Sequence, residues 1–303
     1  MRLDSSIWLK SIANEKSNAM SLAERRKTPA DASGALLSLL KAALAVLDPL
    51  RIAGVILLIL VWQLLTLGLP AIILPTPLGV VERLFADFLS APALSYYGVS
   101  EANLYGNLIY TAENVAVAVV VGSAIGVLAG LLSARFGLVR AVIDPVMMTA
   151  GTVPILVAAP FLLIWFGVGR ASAVCLVIFY VAVILYVFAQ RAATNLDPVF
   201  EESARTLGAT PRQIVRDIFV PATIPEILGG LRIALAGAWG LEAIAELLGS
   251  QSGMGKVLEV LAGATDPQGI MATLLALGLT AVIVDALAAF AVSRAANWSA
   301  AAH

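Results

Sequence analysis

Six mostly apolar stretches, at about 52–69, 107–132, 138–166, 171–190, 224–248 and 270–292, constrain this 303-residue chain more than anything else in it. A helix rises about 1.5 Å per residue, so about 20 apolar residues cross a hydrocarbon core of about 30 Å. All six stretches are near or above that length. Charged residues make up 13% of the chain, against about 25% in a soluble domain, so most of its surface is not built for water. The expectation is an all-α membrane protein with about six transmembrane helices. A polar tail at 1–48 precedes a membrane domain at 49–295, and 296–303 form a short second tail. Within the first tail, 35–47 is apolar but too short to span, and reads as an interfacial helix ended by Asp48-Pro49.

The connections between these stretches alternate in charge. One side, holding both tails and the segment 191–221, collects 16 of the 19 Lys and Arg residues; the other holds Arg83, Arg170 and Lys256. The positive-inside rule makes the first side cytoplasmic, with both termini there, as an even number of spans also requires. On the outer side, 78–89 reads as a short amphipathic helix. The net charge of -1 gives no reason to expect a nucleic-acid partner. Cys175 is the only cysteine and His303 the only histidine, so no intrachain disulfide, thiol cluster or His-based metal site or triad is available. Cys175 reads as a small buried hydrophobe.

Inside the apolar stretches the exceptions carry the information. Gly122, Gly126 and Gly130 repeat every four residues and form one smooth stripe for close helix packing; Gly229, Gly230 and Gly237 read the same way. Pro145, Pro154 and Pro160 interrupt the third stretch, and carbonyls freed by proline must find partners within the protein. The segment 149–154 is therefore expected to be buried or to line a cavity. A plain kink and a piece of a translocation path, with Thr149, Thr152 and Pro154 on it, explain it equally well. Glu242 and Glu246, one helical turn apart, share a face with Trp239 nearby. They too are candidates for a path lining, against a structural role such as pairing to Arg232 or capping a broken helix. A zwitterionic or cationic solute suits an ionised Glu242 better than an anion does.

The segment 195–221 is punctuated like a folded unit. Asp197 and Pro198 start a helix with Glu201 and Glu202 in its first turns, and Gly208 ends it. Thr210 and Pro211 start a second helix, which Pro221 is expected to close. A loop so organised is a docking surface rather than a tether.

These residues resemble the coupling loop of ATP-binding-cassette (ABC) importer permeases, whose pattern is Glu-Ala-Ala, three residues, Gly, nine residues, Ile, any residue, Leu-Pro. Here it stands as Glu202-Ser203-Ala204, Gly208, Ile218 and Val220-Pro221 with the same spacing. Further pieces resemble the nitrate, sulfonate, bicarbonate and taurine branch: Leu74-Pro75-Thr76-Pro77, Asp144-Pro145, Val153-Pro154, Ala159-Pro160, Trp165-Phe166-Gly167, Gly230-Leu231-Arg232, Ala245-Glu246-Leu247 and Asp285. Glu242 departs from that branch, which has an apolar residue there.

The resemblance implies a type I ABC importer permease (MetI-like) fold in the inner membrane. It implies a permease subunit moving a small oxyanion or sulfonate-like solute. Glu201, Glu202, Ser203, Ala204, Gly208, Ala209, Ile218 and Pro221 would couple it to two separate ATPase subunits. A second permease copy and a periplasmic or lipid-anchored binding protein complete the assembly. No cofactor is expected on this chain, ATP and Mg belonging to the ATPases. The nearest thing to a phosphate loop, Ser250 to Val257, lacks the first glycine and the final hydroxyl. The alternative, an ion-coupled secondary transporter, usually carries an inverted repeat, and none is evident. A membrane-embedded enzyme would have only carboxylate chemistry to use.

Overall fold

A computed structural model describes residues 49–295, all of whose regular structure is helical. The tails proposed at 1–48 and 296–303, with the interfacial helix at 35–47, lie outside the described residues. The first helix, α1 (Pro49–Thr66), carries the apolar stretch Ile52–Thr66, somewhat short of a full span. It separates from the rest of the chain as a unit of its own.

The second unit runs from α2 to α12. Thr76 caps α2 (Pro77–Leu89) through the Gly79 amide, with Pro77 in the first turn, so the outer amphipathic helix forms where it was expected. After the short α3 (Pro92–Tyr96), α4 (Leu104–Arg135) is capped by Asn103. Then follow α5 (Gly137–Thr152), α6 (Ile155–Phe166) and α7 (Arg170–Thr194). The loop helices are α8 (Pro198–Thr206) and α9 (Pro211–Ile214); α10 (Val220–Gly249), α11 (Met254–Gly263) and α12 (Pro267–Ala295) complete the described chain.

Helices α4, α7 and α10 form the core, with Val115, Ala118, Val177, Val181, Leu185, Ala234, Ala238 and Trp239 buried among them. The glycine stripe is what brings α4 against α7. A Cβ built on Gly122 or Gly130 would lie 2.8 and 2.6 Å from the carbonyl oxygens of Ile178 and Tyr186, and one on Gly126 would collide with that of Ala182. The facing residues 178, 182 and 186 repeat every four as well, so two matching ridges mesh. Gly230 and Gly237 likewise meet Phe188 and Tyr180, but Gly229 faces open space, contrary to expectation. Cys175 is partly rather than fully buried.

Charged residues tie the helices to one another. Asp144 on α5 accepts from Tyr186 and Gln190 on α7 and pairs with Arg140 at 3.2 Å. Arg232 on α10 reaches Asp285 on α12 at 2.9 Å, rather than either interior glutamate. Glu113 takes Arg170 at 3.1 Å, and that guanidinium also stands 5.2 Å over the Tyr110 ring.

Two expectations about the spans need correction. The third apolar stretch is a pair of helices, α5 and α6, bent by 106°, which is either a broken span or a re-entrant loop. Proline disfavours a helical residue before it, and Val153 is accordingly extended ahead of Pro154. Four described helices are long and apolar enough to cross a membrane, and the bent pair makes a fifth if it counts as one span. Secondly, Pro221 does not close the loop's second helix. A π-turn at Val215–Phe219 widens the helix just ahead of it, with the Val220 amide bonding back five residues to Val215. Pro221 follows directly inside the helical run, where the π-turn has already broken the regular ladder that a proline cannot complete. The result is a 39-residue helical run from Pro211 to Gly249, about 59 Å long and twice the hydrocarbon thickness.

Candidate functional site

The loop between α7 and α10 has the local structure its punctuation predicts. Asp197 accepts from the Val199 amide at 3.0 Å and Pro198 occupies the first turn of α8. At the other end the Ala209 amide bonds the Ala204 carbonyl at 3.0 Å and the Gly208 amide bonds that of Arg205 at 2.9 Å. That crossed pair is a Schellman motif, which needs a left-handed residue, and Gly208 sits at φ +83°. The spacing from Ala204 to Gly208 and Ala209 is therefore the spacing of one helix stop. Thr210 and Gln213 then close a reciprocal capping box at the start of α9.

The loop is pinned to the bundle through Glu201, which pairs with Arg205 at 2.6 Å and with Arg135 at the end of α4 at 3.4 Å. The hydrogen bond from Arg205, aided by Arg135, holds the Glu201 carboxyl below the usual carboxylate range. Glu202 and Ser203 are exposed; Ala204, Ala209, Ile218 and Pro221 are half-buried. Beside them three apolar side chains lie open: Val199 at 58%, Phe200 at 59% and Leu207 at 88% exposure. Sequence reading passed over these three because apolar residues are commonplace in this chain. Their placement on a polar loop outside the apolar stretches is the signal that marks them.

The residues put forward for a path divide into two sets. Thr149, Thr152 and Pro154 are exposed at the α5–α6 corner, not buried. The sharp bend turns this corner outward, and the Thr152 hydroxyl satisfies the freed Thr149 carbonyl at 2.7 Å. Trp239, Glu242 and Glu246 are enclosed in the bundle, both glutamates with no exposed surface, so in this arrangement neither has surface to offer a solute.

Glu246 takes a structural role, capping the start of a separate helix, α11. Gly253, at φ +98°, lets the chain reverse after α10 and bring the start of α11 against it. Three successive amides there find acceptors across the bundle: Gly253 on Asn107 and Met254 on Thr111, both at 2.9 Å, and Gly255 on Glu246 at 3.0 Å. The Thr111 hydroxyl also donates to Glu246 at 2.9 Å. A carboxylate at a helix N-terminus is favoured by the helix dipole as well. Glu242 has no hydrogen-bond partner, nor do the amide of Asn114 and the indole nitrogen of Trp239. Helix α11 and the polar face Asn107, Thr111, Asn114 were missed in the sequence. That face was legible, since polar side chains at i, i+4 and i+7 of an apolar helix share one side.

Replacing Glu246 by alanine should orphan the Gly255 amide and cost roughly 2–3 kcal/mol. In a thermal-melt series, Glu246→Ala should melt about 5–10 °C below wild type. Glu246→Gln, which keeps an acceptor oxygen, should stay within a few degrees.

The comparisons with known proteins agree with this architecture. Residues 122–297 match the family model described as binding-protein-dependent transport system inner membrane component. The chain belongs to this family. It is 29% identical over 232 residues to the taurine transport system permease protein of Escherichia coli (strain K12), covering 73% of this chain and 82% of that one. It is also 29% identical over 202 residues to a permease protein of Bacillus subtilis (strain 168) named for aliphatic sulfonates transport, covering 66% and 69%. Among solved structures, an inward-facing form of the MetNI methionine ABC transporter superposes with a TM-score of 0.54 at 22% identity, over 64% of this chain and 95% of that one. The fold is thus that of the MetI-like ABC importer permeases, and the protein is a multi-pass inner-membrane transport component of the ABC importer family.

Proposed function

We propose that this permease forms, with a second copy of itself, the translocation path for a small sulfonate-like solute or oxyanion, driven by two separate ATPase subunits docked on 195–221. The exposed Val199, Phe200 and Leu207 on a doubly capped loop carry this reading. Apolar side chains held open on a rigid polar loop are suited to burial in a partner's groove. ATP and Mg belong to that partner, this chain being non-catalytic. The loop lies on the cytoplasmic side, as the positive-inside rule assigns, so both termini are cytoplasmic too. A binding protein delivers the solute from the outer side, in keeping with the family's description. The substrate class follows the relatives named for taurine and aliphatic sulfonates.

When the ATPases close, the loop moves with them. The Glu201–Arg135 pair passes that motion to α4, and the continuous run from Pro211 passes it to α10. At the exposed α5–α6 corner, Thr149, Thr152 and Pro154 form part of the path wall.

The test is reconstitution in vesicles with candidate ATPase subunits and a candidate binding protein, offering labelled taurine, an alkanesulfonate or nitrate. One of them should accumulate only with ATP and all components present. Accumulation by the chain alone under an ion gradient would instead support a secondary transporter.

A further inference from the structure

A groove of about 620 Å³ opens between the end of α4 and the start of the 39-residue helix. That volume is within the range of small-molecule sites, about 300–1,000 Å³. Its walls are apolar: Leu128, Leu131 and Leu132 on one side, Val215, Phe219 and Val220 on the other. At its rim stand two arginines, Arg135 and Arg212. Arg135 uses part of its guanidinium on Glu201 at 3.4 Å, and a guanidinium has five donors, so most remain. Arg212 is exposed and has no ion-pair partner among the described residues; the nearby acid Asp217 is taken by Arg216 at 3.7 Å. From Leu128 to Arg135 is two helical turns, about 10 Å, so the groove runs from the apolar body of α4 to its charged end.

We propose that this groove is a site for an anionic phospholipid of the cytoplasmic leaflet, its phosphate on Arg135 and Arg212 and an acyl chain along the leucines. The leaflet follows from the orientation proposed above. Charge decides the occupant. An apolar cleft open at the level where a spanning helix leaves the hydrocarbon meets lipid tails by default. Two arginines at that boundary select a headgroup with net negative charge, as basic pockets between spanning helices do. The site touches Arg135, which also holds the coupling loop, so an occupied site would brace the joint between α4 and the loop.

The experiment uses the full chain with its ATPase partners in nanodiscs of phosphatidylcholine and phosphatidylglycerol at 4:1, with native mass spectrometry of the lipids retained on release. Wild type should retain phosphatidylglycerol in excess over its share of the bilayer. Arg212→Ala should lower that enrichment about fivefold and Arg135→Ala/Arg212→Ala further, from about 1 kcal/mol per arginine near an anionic surface. Val215→Trp, which fills the groove and leaves both arginines in place, should lower it as well. Equal retention of the two lipids by wild type, or enrichment unchanged in the double variant, would overturn the site. So would a photo-crosslinker at Val215 that labels the second copy, the chain's own N-terminal segment or an ATPase instead of lipid. A wild-type complex that keeps its ATPases but shows no lipid selectivity counts against this site alone. A chain that retains the lipid but never binds an ATPase counts against the proposed function alone.

Discussion

Gly126→Leu is expected to prevent this permease from accumulating in the membrane as a folded protein. A Cβ at Gly126 already collides with the backbone of Ala182, and a backbone cannot rotate aside as a side chain can. To accept leucine, α4 and α7 must separate along their shared length. Separation would also undo the contacts of Gly122 and Gly130 with Ile178 and Tyr186, and loosen the core holding Val115, Ala118 and Val181. Inserting even single methylenes into a packed core costs about 1–3 kcal/mol, and a leucine pressed against main chain belongs above that range. In lipid there is no compensating hydrophobic drive to hold the pair together. The expected readout is at least a tenfold loss of detergent-extractable monodisperse protein, with Gly126→Ala milder but still clearly destabilised. Gly278→Leu is the control: it lies in an equally apolar helix with nothing within 4 Å of its Cβ, and should accumulate and melt like wild type. Equal behaviour of Gly126→Leu and Gly278→Leu would show that the stripe does not set the packing distance.

That stripe also illustrates what the sequence makes legible. Periodic features survive in one dimension: glycines every four residues, a capped helix start at Asp197-Pro198, a stop at Gly208. Each is decided by residues within a turn or two of one another, so the local rule and the final fold agree. The failures are equally physical. Proline was read as a stop at Pro221, yet the π-turn before it lets the helix run on through that proline. At Pro154 a plain kink and a piece of a path were weighed equally, and the extended residue before it makes that kink a 106° corner. Helix α11 escaped because its start is held by Asn107, Thr111 and Glu246, partners up to 146 residues away. The segment 149–154 was expected to be buried or to line a cavity; it is exposed at the corner, and Thr152 supplies the Thr149 carbonyl with a local partner. Tertiary hydrogen bonds leave little trace along a chain; backbone punctuation leaves a clear one.

Gly208→Pro is expected to abolish ATP-driven transport while leaving the membrane bundle intact. Proline fixes φ near -65°, and Gly208 stands at +83°, so the helix stop cannot form. The substitution also removes the Gly208 amide that bonds Arg205, and with the turn lost the Ala209–Ala204 bond goes too. Nothing lies within 4 Å of a Cβ at this position, so the whole effect is conformational and no packing contact confuses it. The consequence follows from what adjoins the turn. On one side is α8, with Val199 and Phe200 open to a partner and Leu207 at its end. On the other begins a helical run of about 59 Å, with a π-turn and Pro225 within it, leading to the cap formed by Glu246. Gly208 is the joint that fixes the angle between them, so under the proposed function altering it should disconnect docking from movement. Gly208→Ala forces an ordinary residue into the left-handed region, at about 1–2 kcal/mol, and should transport at a reduced rate. Gly208→Asn, which tolerates that region better, should recover most of it. Across the three variants the melting temperature of the isolated permease should barely change. Transport and permease-stimulated ATPase activity should fall in the order Asn, Ala, Pro, with Pro below a tenth of wild type. Full transport by Gly208→Pro would mean that the angle at this joint carries no work, and that force reaches the bundle elsewhere, the Glu201–Arg135 pair being one connection between loop and bundle to examine.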